Sequence, residues 1–361
     1  MVRVRLRLGS YATDPVPVLA QLRASRPTEV ILATEAPTTD AERAYLLLFE
    51  EFKPTFYHGP DLEPAEGTYD IGQLAIPEEL LPVTGEYLQS LCDYTILSDV
   101  LKTPFHAPIM NTVARQQLLL DTEWPEECKN AQSIFLYPGD IFLEAFVNRE
   151  WPSLRLLIYH NGDNQINYSL LIPFLDANPN VYAWVLNNTV THTRIRSLPI
   201  GEQNRVWREG TPEYDPPVKT SRKAEREWGI VYPWCSLTNR MRPIWYEKAK
   251  LSSRRDMMIF ARLPKEDYTE VLESASAVVC PPGNGYDTHR CWESLYMGAW
   301  AIVHDNAHTQ CLLKEYPSLP LLPIEGPSEL ENIQLPESPS PFHPMLLRTY
   351  WDLLFASYIY K

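Results

Sequence analysis

The chain has 361 residues, 45% hydrophobic and 22% charged, the balance of a soluble globular protein long enough for two domains. A formal net charge of −14 excludes a generally basic, nucleic-acid-binding surface, although 32 Lys and Arg leave room for a local basic cleft. Against 14 glycines, 33 prolines point to stiff, extended connections, and six cysteines (Cys92, Cys128, Cys235, Cys280, Cys291, Cys311) without a C-x-x-C pair predict reduced, buried thiols.

The opening "MVRVRLRLGSYATD" alternates Val and Leu with Arg and has no continuous apolar core, so it predicts a strand over 2–9 rather than a signal peptide. "PVLAQLRASR" follows as a helix and "TEVILAT" (28–34) as a strand. "TTDAERAYLLLFEEF" is a helix that its Thr-Thr-Asp opening can cap. The Pro-rich stretch 53–90 carries no clear period. Beyond it "YTILSD", "QSIFLYP" and "LRLLIYH" are short β-rich runs, with the helical "DIFLEAFVNRE" between the last two. "NYSLLIPFLDAN" (167–178) and "VYAWVLNN" (181–188) continue the alternation, the pattern of βαβ units on a largely parallel sheet.

Around 205–227 apolar periodicity gives way to Pro and charge, which marks a domain boundary. The alternation then restarts with "WGIVYPW" (strand), "NRMRPIWYEKAKL" (helix), "DMMIFAR" (strand), "KEDYTEVLESA" (helix), "SAVVC" (strand), a polar loop and helix, and "WAIVH" (strand). "LPLLPI" is a candidate last strand, and "MLLRTYWDLLFASYIY" is an amphipathic helix after a Pro-rich link. No stretch reaches the length of a membrane span, and the protein is expected to be cytoplasmic.

The densest polar cluster is "CPPGNGYDTHRCWESLYMGAWAIV" (280–303). Gly283, Asn284 and Gly285 give the loop backbone freedom. Asp287 stands where an N-cap belongs and Gly298 where the helix should stop, about three turns apart. Backbone amides and the helix dipole at such a start favour an anion, and His289 and Arg290 add donors for phosphate oxygens. Glu293, one turn deeper on the same side, can accept hydrogen bonds from two hydroxyls, as a ribose offers. A purely structural reading also exists: a Gly-Asn-Gly turn, Asp287 as cap, and Arg290–Glu293 as a surface ion pair.

This segment resembles the donor-site segment of exostosin-like and related viral and bacterial glycosyltransferases of the GT-B fold. Their pattern is approximately P-x-G-x-G-x-D-x-H-R-x-W-E-x-L-x-x-G-x-x-P-I-V, matched from Pro281 to Val303 with Ala301 in place of the last proline. "SLTNRMR" (236–242) resembles the same family's T-N-x-x-R stretch, where Thr238 or Asn239 can cap a helix and Arg240 or Arg242 reach phosphate. "SLPIGEQNRVW" (197–207) resembles L-P-I-G-x-x-N, with Gly201 and Asn204 shaping the crossing out of the first domain. "LRLLIYHNGDN" resembles a T-H-N-S-D stretch and sets His160 and Asp163 at a strand's carboxyl end; the alternative is a turn at Asp163 and a satisfied core histidine. Asp140 is a weaker strand-end carboxylate.

The resemblance implies an α/β architecture of two Rossmann-like domains facing across a cleft. Residues 1–214 would form the acceptor domain and 215–340 the nucleotide-sugar domain, with a helix in 341–361 crossing back to the first. The implied activity moves a sugar from a nucleotide-diphospho-sugar, of UDP or GDP type, to a hydroxyl of a glycan or glycoprotein acceptor. The implied donor residues are Thr238, Asn239, Arg242, Gly283, Asn284, Gly285, Asp287, His289, Arg290 and Glu293, with Asp163 or His160 as base if the reaction inverts. The sequence has no D-x-D, no H-E-x-x-H and no P-loop, so neither metal nor cofactor is expected. The rivals are a sugar-nucleotide epimerase or phosphorylase on the same twin domains and a catalytically silent nucleotide-sugar or glycan-binding protein.

Overall fold

Short runs of branched and aromatic residues become parallel strands throughout a computed structural model of the chain. It describes residues 3–8, 29–33, 55–57, 68–71, 81–97, 117–120, 123–204, 218, 226–235, 238–337, 340 and 343–359. The chain divides into two compact units, Met1–Leu80 with His343–Lys361, and Leu81–Phe342. In this division residues 81–204 group with the C-terminal sheet and His343–Lys361 with the N-terminal one.

In the first unit, β1 (Arg3–Leu8), β2 (Glu29–Ala33), β3 (Thr55–Tyr57) and β4 (Thr68–Ile71) pair in parallel in the order β3-β2-β1-β4. β3 and β4 arise from the stretch in which the sequence shows no period. Both helices predicted between residues 14 and 52 lie outside the described residues.

The second unit begins with α1 (Gly85–Ser90), β5 (Tyr94–Leu97), β6 (Gln117–Leu119), β7 (Ser133–Leu136) and α2 (Asp140–Val147). It continues through β8 (Leu156–Tyr159), α3 (Tyr168–Ala177), β9 (Tyr182–Leu186) and β10 (Ile195–Leu198). The strands form a parallel sheet in the order β10-β9-β8-β7-β5-β6. Every residue of β7 and β8 is buried, which is why these strands read as unbroken apolar runs rather than alternating ones: a parallel sheet is covered on both faces.

A second parallel sheet is built from β11 (Trp228–Pro233), α4 (Met241–Lys250), β12 (Met257–Phe260), α5 (Lys265–Ser274) and β13 (Ala275–Cys280). It is completed by α6 (His289–Tyr296), β14 (Trp300–His304), α7 (Ala307–Glu315) and β15 (Leu321–Ile324). Its order is β12-β11-β13-β14-β15, and Ile230, Tyr232, Trp245, Ala277, Val279 and Ile302 form its core. Both sheets of this unit therefore start with a strand whose successor lies on one side and whose later partners lie on the other. In such a sheet the crevice at the reversal, outside the carboxyl ends, receives ligands. In the second sheet that point lies between β11 and β13.

α6 is about two turns long rather than three, because Asp287 is not its cap: the N-cap is Thr288, which makes no side-chain capping bond. Gly298, at φ 80°, ends it as expected. The Gly298 amide donates to Leu295 O (3.1 Å) and the Ala299 amide to Ser294 O (2.9 Å), a Schellman closure that needs a left-handed residue. α7 is absent from the sequence expectations, yet Asn306 caps it by accepting from the His308 and Thr309 amides. The last helix, α8 (Arg348–Ile359), groups with residues 1–80. Five cysteines are buried and Cys235 is half-buried, all as free thiols. No helix among the described residues is long and apolar enough to cross a membrane.

Candidate functional site

A cavity of about 680 Å³ opens at the carboxyl ends of β11 and β13, at the reversal of strand order. The β13 side contributes Gly283, Asn284, Asp287, Thr288, His289, Arg290 and Glu293, and the β11 side Trp234, Cys235, Thr238 and Arg242. Arg262, Lys265 and Tyr268 line it from the β12–α5 side, and Asp163, Ile200 and Gln203 come from the six-stranded sheet. The sequence-predicted donor residues are thus brought together, save Asn239 and Gly285, which shape the wall from behind.

Asn239 ties the two strand exits to each other: its Oδ1 accepts from the Met241 amide at 2.8 Å, and its Nδ2 donates to the Gly283 carbonyl. Arg242 reinforces this, donating from Nε to Pro282 O (3.0 Å) and from a terminal nitrogen to Thr238 Oγ1 (3.1 Å). Gly285 must lack a side chain, since a Cβ there would lie 2.7 Å from Asn187 Nδ2 and 3.1 Å from Asp163 O.

Asp287 is a buried hub. Its carboxylate accepts from the Trp292 indole at 2.7 and 2.8 Å, from the Ile200 amide at 2.8 Å and from the Thr288 amide at 2.8 Å. The Asp287 amide donates to Asn187 Oδ1 at 2.8 Å. This carboxylate therefore fastens α6 to the segment leaving β10. His289 does the same two residues on, with Nδ1 2.8 Å from Gly201 O. Thr288 makes no side-chain capping bond, and the start of α6 borders the cavity through Thr288, His289 and Arg290.

Arg290 and Glu293 do not pair with each other, which corrects the surface-ion-pair alternative. Arg290 spends two donors on the exit of β11, binding Pro233 O at 2.9 Å and Trp234 O at 2.5 Å. Glu293 accepts from Lys265 Nζ at 2.9 Å and from the Tyr268 hydroxyl at 2.7 Å. Burial by itself would push the Glu293 carboxyl up, but the Lys265 ammonium and these hydrogen bonds hold it down at about 2. Lys265, Tyr268 and Asn187 were not anticipated; each lies more than twenty residues from its partner in the motif, and no local pattern announces it, while Glu202, inside the 197–207 stretch, was not singled out and binds Lys265 rather than the motif.

On the opposite wall, Asp163 is exposed, and its Oδ2 accepts from Asn284 Nδ2 at 3.2 Å across the cavity. His160 is buried instead. Its Nε2 donates to Pro199 O at 2.9 Å, its Nδ1 lies 3.1 Å from Asn161 Oδ1, and it is not part of the cavity lining. Burial pushes its pKa down, leaving a neutral ring that holds the turn after β8 to the turn after β10. Among the described residues no group of His, Cys, Asp or Glu is placed to hold a metal ion.

No known protein-family profile matches the chain, and no curated protein is similar to it. Among solved structures it is similar to MurG of Acinetobacter baumannii, with TM-score 0.33 and 12% identity over 99% of this chain and 95% of that one. It is similar also to the UDP-GlcNAc 2-epimerase of Methanocaldococcus jannaschii, solved with UDP-GlcNAc and UDP (TM-score 0.30, 9% identity, 98% and 100% covered). A third is UGT89C1 of Arabidopsis thaliana, complexed with UDP-L-rhamnose (TM-score 0.29, 11% identity, 92% and 90% covered). Likenesses at these scores carry no weight for the chemistry, which follows from the chain's own strand order and site.

Proposed function

We propose that the chain is a GT-B-type glycosyltransferase, similar to the exostosin-like enzymes, that takes a nucleotide-diphospho-sugar of UDP or GDP type without metal. The observation that carries this reading is the cation-lined cavity at the β11/β13 reversal, with the uncapped first turn of α6 opening onto it. A diphosphate there would meet helix amides, His289, Arg242 and Arg290, whose fixed charge opposes the negative charge that grows on the leaving group. Glu293, charged and held in place, suits the ribose hydroxyls. The acceptor is a glycan or glycoprotein hydroxyl entering from the six-stranded side. Asp163, the exposed carboxylate on that wall, would take the hydroxyl proton as the anomeric C–O bond to the new oxygen forms and the bond to diphosphate breaks, inverting the configuration.

The test is incubation with a panel of UDP- and GDP-sugars, with and without mixed glycan acceptors, in the presence and absence of excess EDTA. Slow donor hydrolysis or transfer that persists in EDTA is expected. Binding without turnover would favour a silent nucleotide-sugar reader, epimerised donor an isomerase, and activity abolished by EDTA and restored by Mn²⁺ or Mg²⁺ would refute the metal-free reading.

A further inference from the structure

One lysine serves two acids in this cavity. Lys265 Nζ donates to Glu293 Oε1 at 2.9 Å and to Glu202 Oε1 at 3.1 Å, and Glu202 is fully buried. Tyr268, three residues along α5 and so on the same face, donates its hydroxyl to the other Glu293 oxygen at 2.7 Å. Each Glu293 oxygen thus has one protein donor, and a carboxylate oxygen can accept two. What remains is one acceptor direction on each oxygen, in a side chain that borders the cavity.

Glu202 adds a second constraint. It belongs to a segment whose consecutive residues each grip the donor site: the Ile200 amide holds Asp287 (2.8 Å), the Gly201 carbonyl holds His289 (2.8 Å) and the Glu202 carboxylate holds Lys265 (3.1 Å). The segment is itself anchored, with the Glu202 amide 2.8 Å from Val83 O. Lys265 therefore cannot follow Glu293 if that side chain turns; it pins the carboxylate to one orientation.

We propose that Lys265 and Tyr268 are positioning residues that aim the two free acceptor directions of Glu293 at a vicinal diol, and that this selects ribonucleotides over 2′-deoxyribonucleotides. Glu202 is the anchor that keeps Lys265 in place. This inference rests on the donor-site reading above.

The experiment is calorimetric binding of UDP, GDP and their 2′-deoxy counterparts to the parent, Lys265→Met, Lys265→Arg and Tyr268→Phe, with a thermal melt of each. The parent should prefer the ribo form by about tenfold or more, the worth of a hydrogen bond to a charged group. That preference should fall to near unity in Lys265→Met and several-fold in Tyr268→Phe, and Lys265→Arg should restore part of it. Lys265→Met leaves two buried carboxylates without their cation, so if it does not fold, Tyr268→Phe and Lys265→Arg decide. An undiminished preference in folded Tyr268→Phe, with Lys265→Met also unchanged or unfolded, overturns the proposal. A parent that binds neither UDP nor GDP instead overturns the donor-site reading itself.

Discussion

Arg290 shows how one side chain can serve the fold and the chemistry together. Its fork closes on the carbonyls of Pro233 and Trp234, so it fixes the exit of β11 while its charge faces the cavity. Truncation to Ala should therefore cost stability as well as rate. Two carbonyls lose a cationic donor, for roughly 1.5–3 kcal/mol, and loss of one transition-state donor typically lowers the rate a hundredfold or more. Lys keeps the charge but cannot bridge both carbonyls, so Arg290→Lys should recover part of the rate and little of the melting temperature. Thermal melts beside donor-dependent turnover measure both. If Arg290→Ala matches the parent in each, the cluster at 283–293 does not hold the donor. At this scale the sequence was informative about which residues meet and poor about whom they bind. The motif residues are contiguous, so their convergence could be read directly. Their partners Lys265, Tyr268 and Asn187 arrive from distant elements, and pairing across such separations leaves no local trace.

Elements were more legible than their joints. β5, β7, β8, β9, β11, β12 and β14 fall within, and β13 overruns by one residue, the apolar runs picked out by length and flanking turns, because a parallel sheet buries both faces and leaves a continuous signal. α7 escaped because its apolar positions are few, although it docks firmly: Glu315 accepts from the Ser197 amide at 2.8 Å and hydroxyl at 2.7 Å. The grouping of residues 81–204 with the second sheet was equally illegible, since it depends on contacts such as these rather than on any composition shift. The loop after β13 offers a test of how two elements constrain each other. At Gly285 an added Cβ meets Asn187 Nδ2 and the Asp163 backbone, while at Gly283 the nearest atom, at 3.0 Å, is the end of the Arg242 side chain. Gly285→Ala should lower the melting temperature and activity together, by prising the loop from the end of β9. Gly283→Ala should melt near the parent, because Arg242 can give way, and should weaken nucleotide binding by displacing it. Equal melting of the two variants would count against this tight contact between loop and strand end.

For the whole molecule, the buried titratable groups set the pH range over which the fold holds. His160 and His343 lie in different compact units, both pushed down by burial, His343 to about 3. A histidine kept neutral in the folded state binds fewer protons there than when unfolded. Stability is then fully present above the ordinary value of 6.5 and is lost as pH falls from there towards the folded pKa. Each such group contributes up to about 1.4 kcal/mol per pH unit in that window. Glu293 adds a second acid limb. Held at about 2 against an ordinary 4.5, it contributes stability that is present above 4.5 and disappears as pH falls to 2. Lys265 has the opposite sign: its carboxylate partners outweigh burial and raise it above 10.5, so its contribution is full below that value and is lost as pH rises through the raised pKa. The expected profile is a plateau between about 6.5 and 9, where the buried Cys280 and Cys291 thiols, both pushed up by burial, begin to favour the unfolded chain, with a gentle decline below 6.5 and a steeper one below 4.5. Calorimetric melts from pH 8 to 5 on the parent, His160→Gln, His343→Gln and the double variant test the first limb. Lost packing on substitution lowers the whole curve, so the slope and not its height is the measure. The slope should fall in each single variant and furthest in the double. A double variant that declines as steeply as the parent would show that the acid sensitivity belongs to other groups, and that these two rings are not held neutral by the fold.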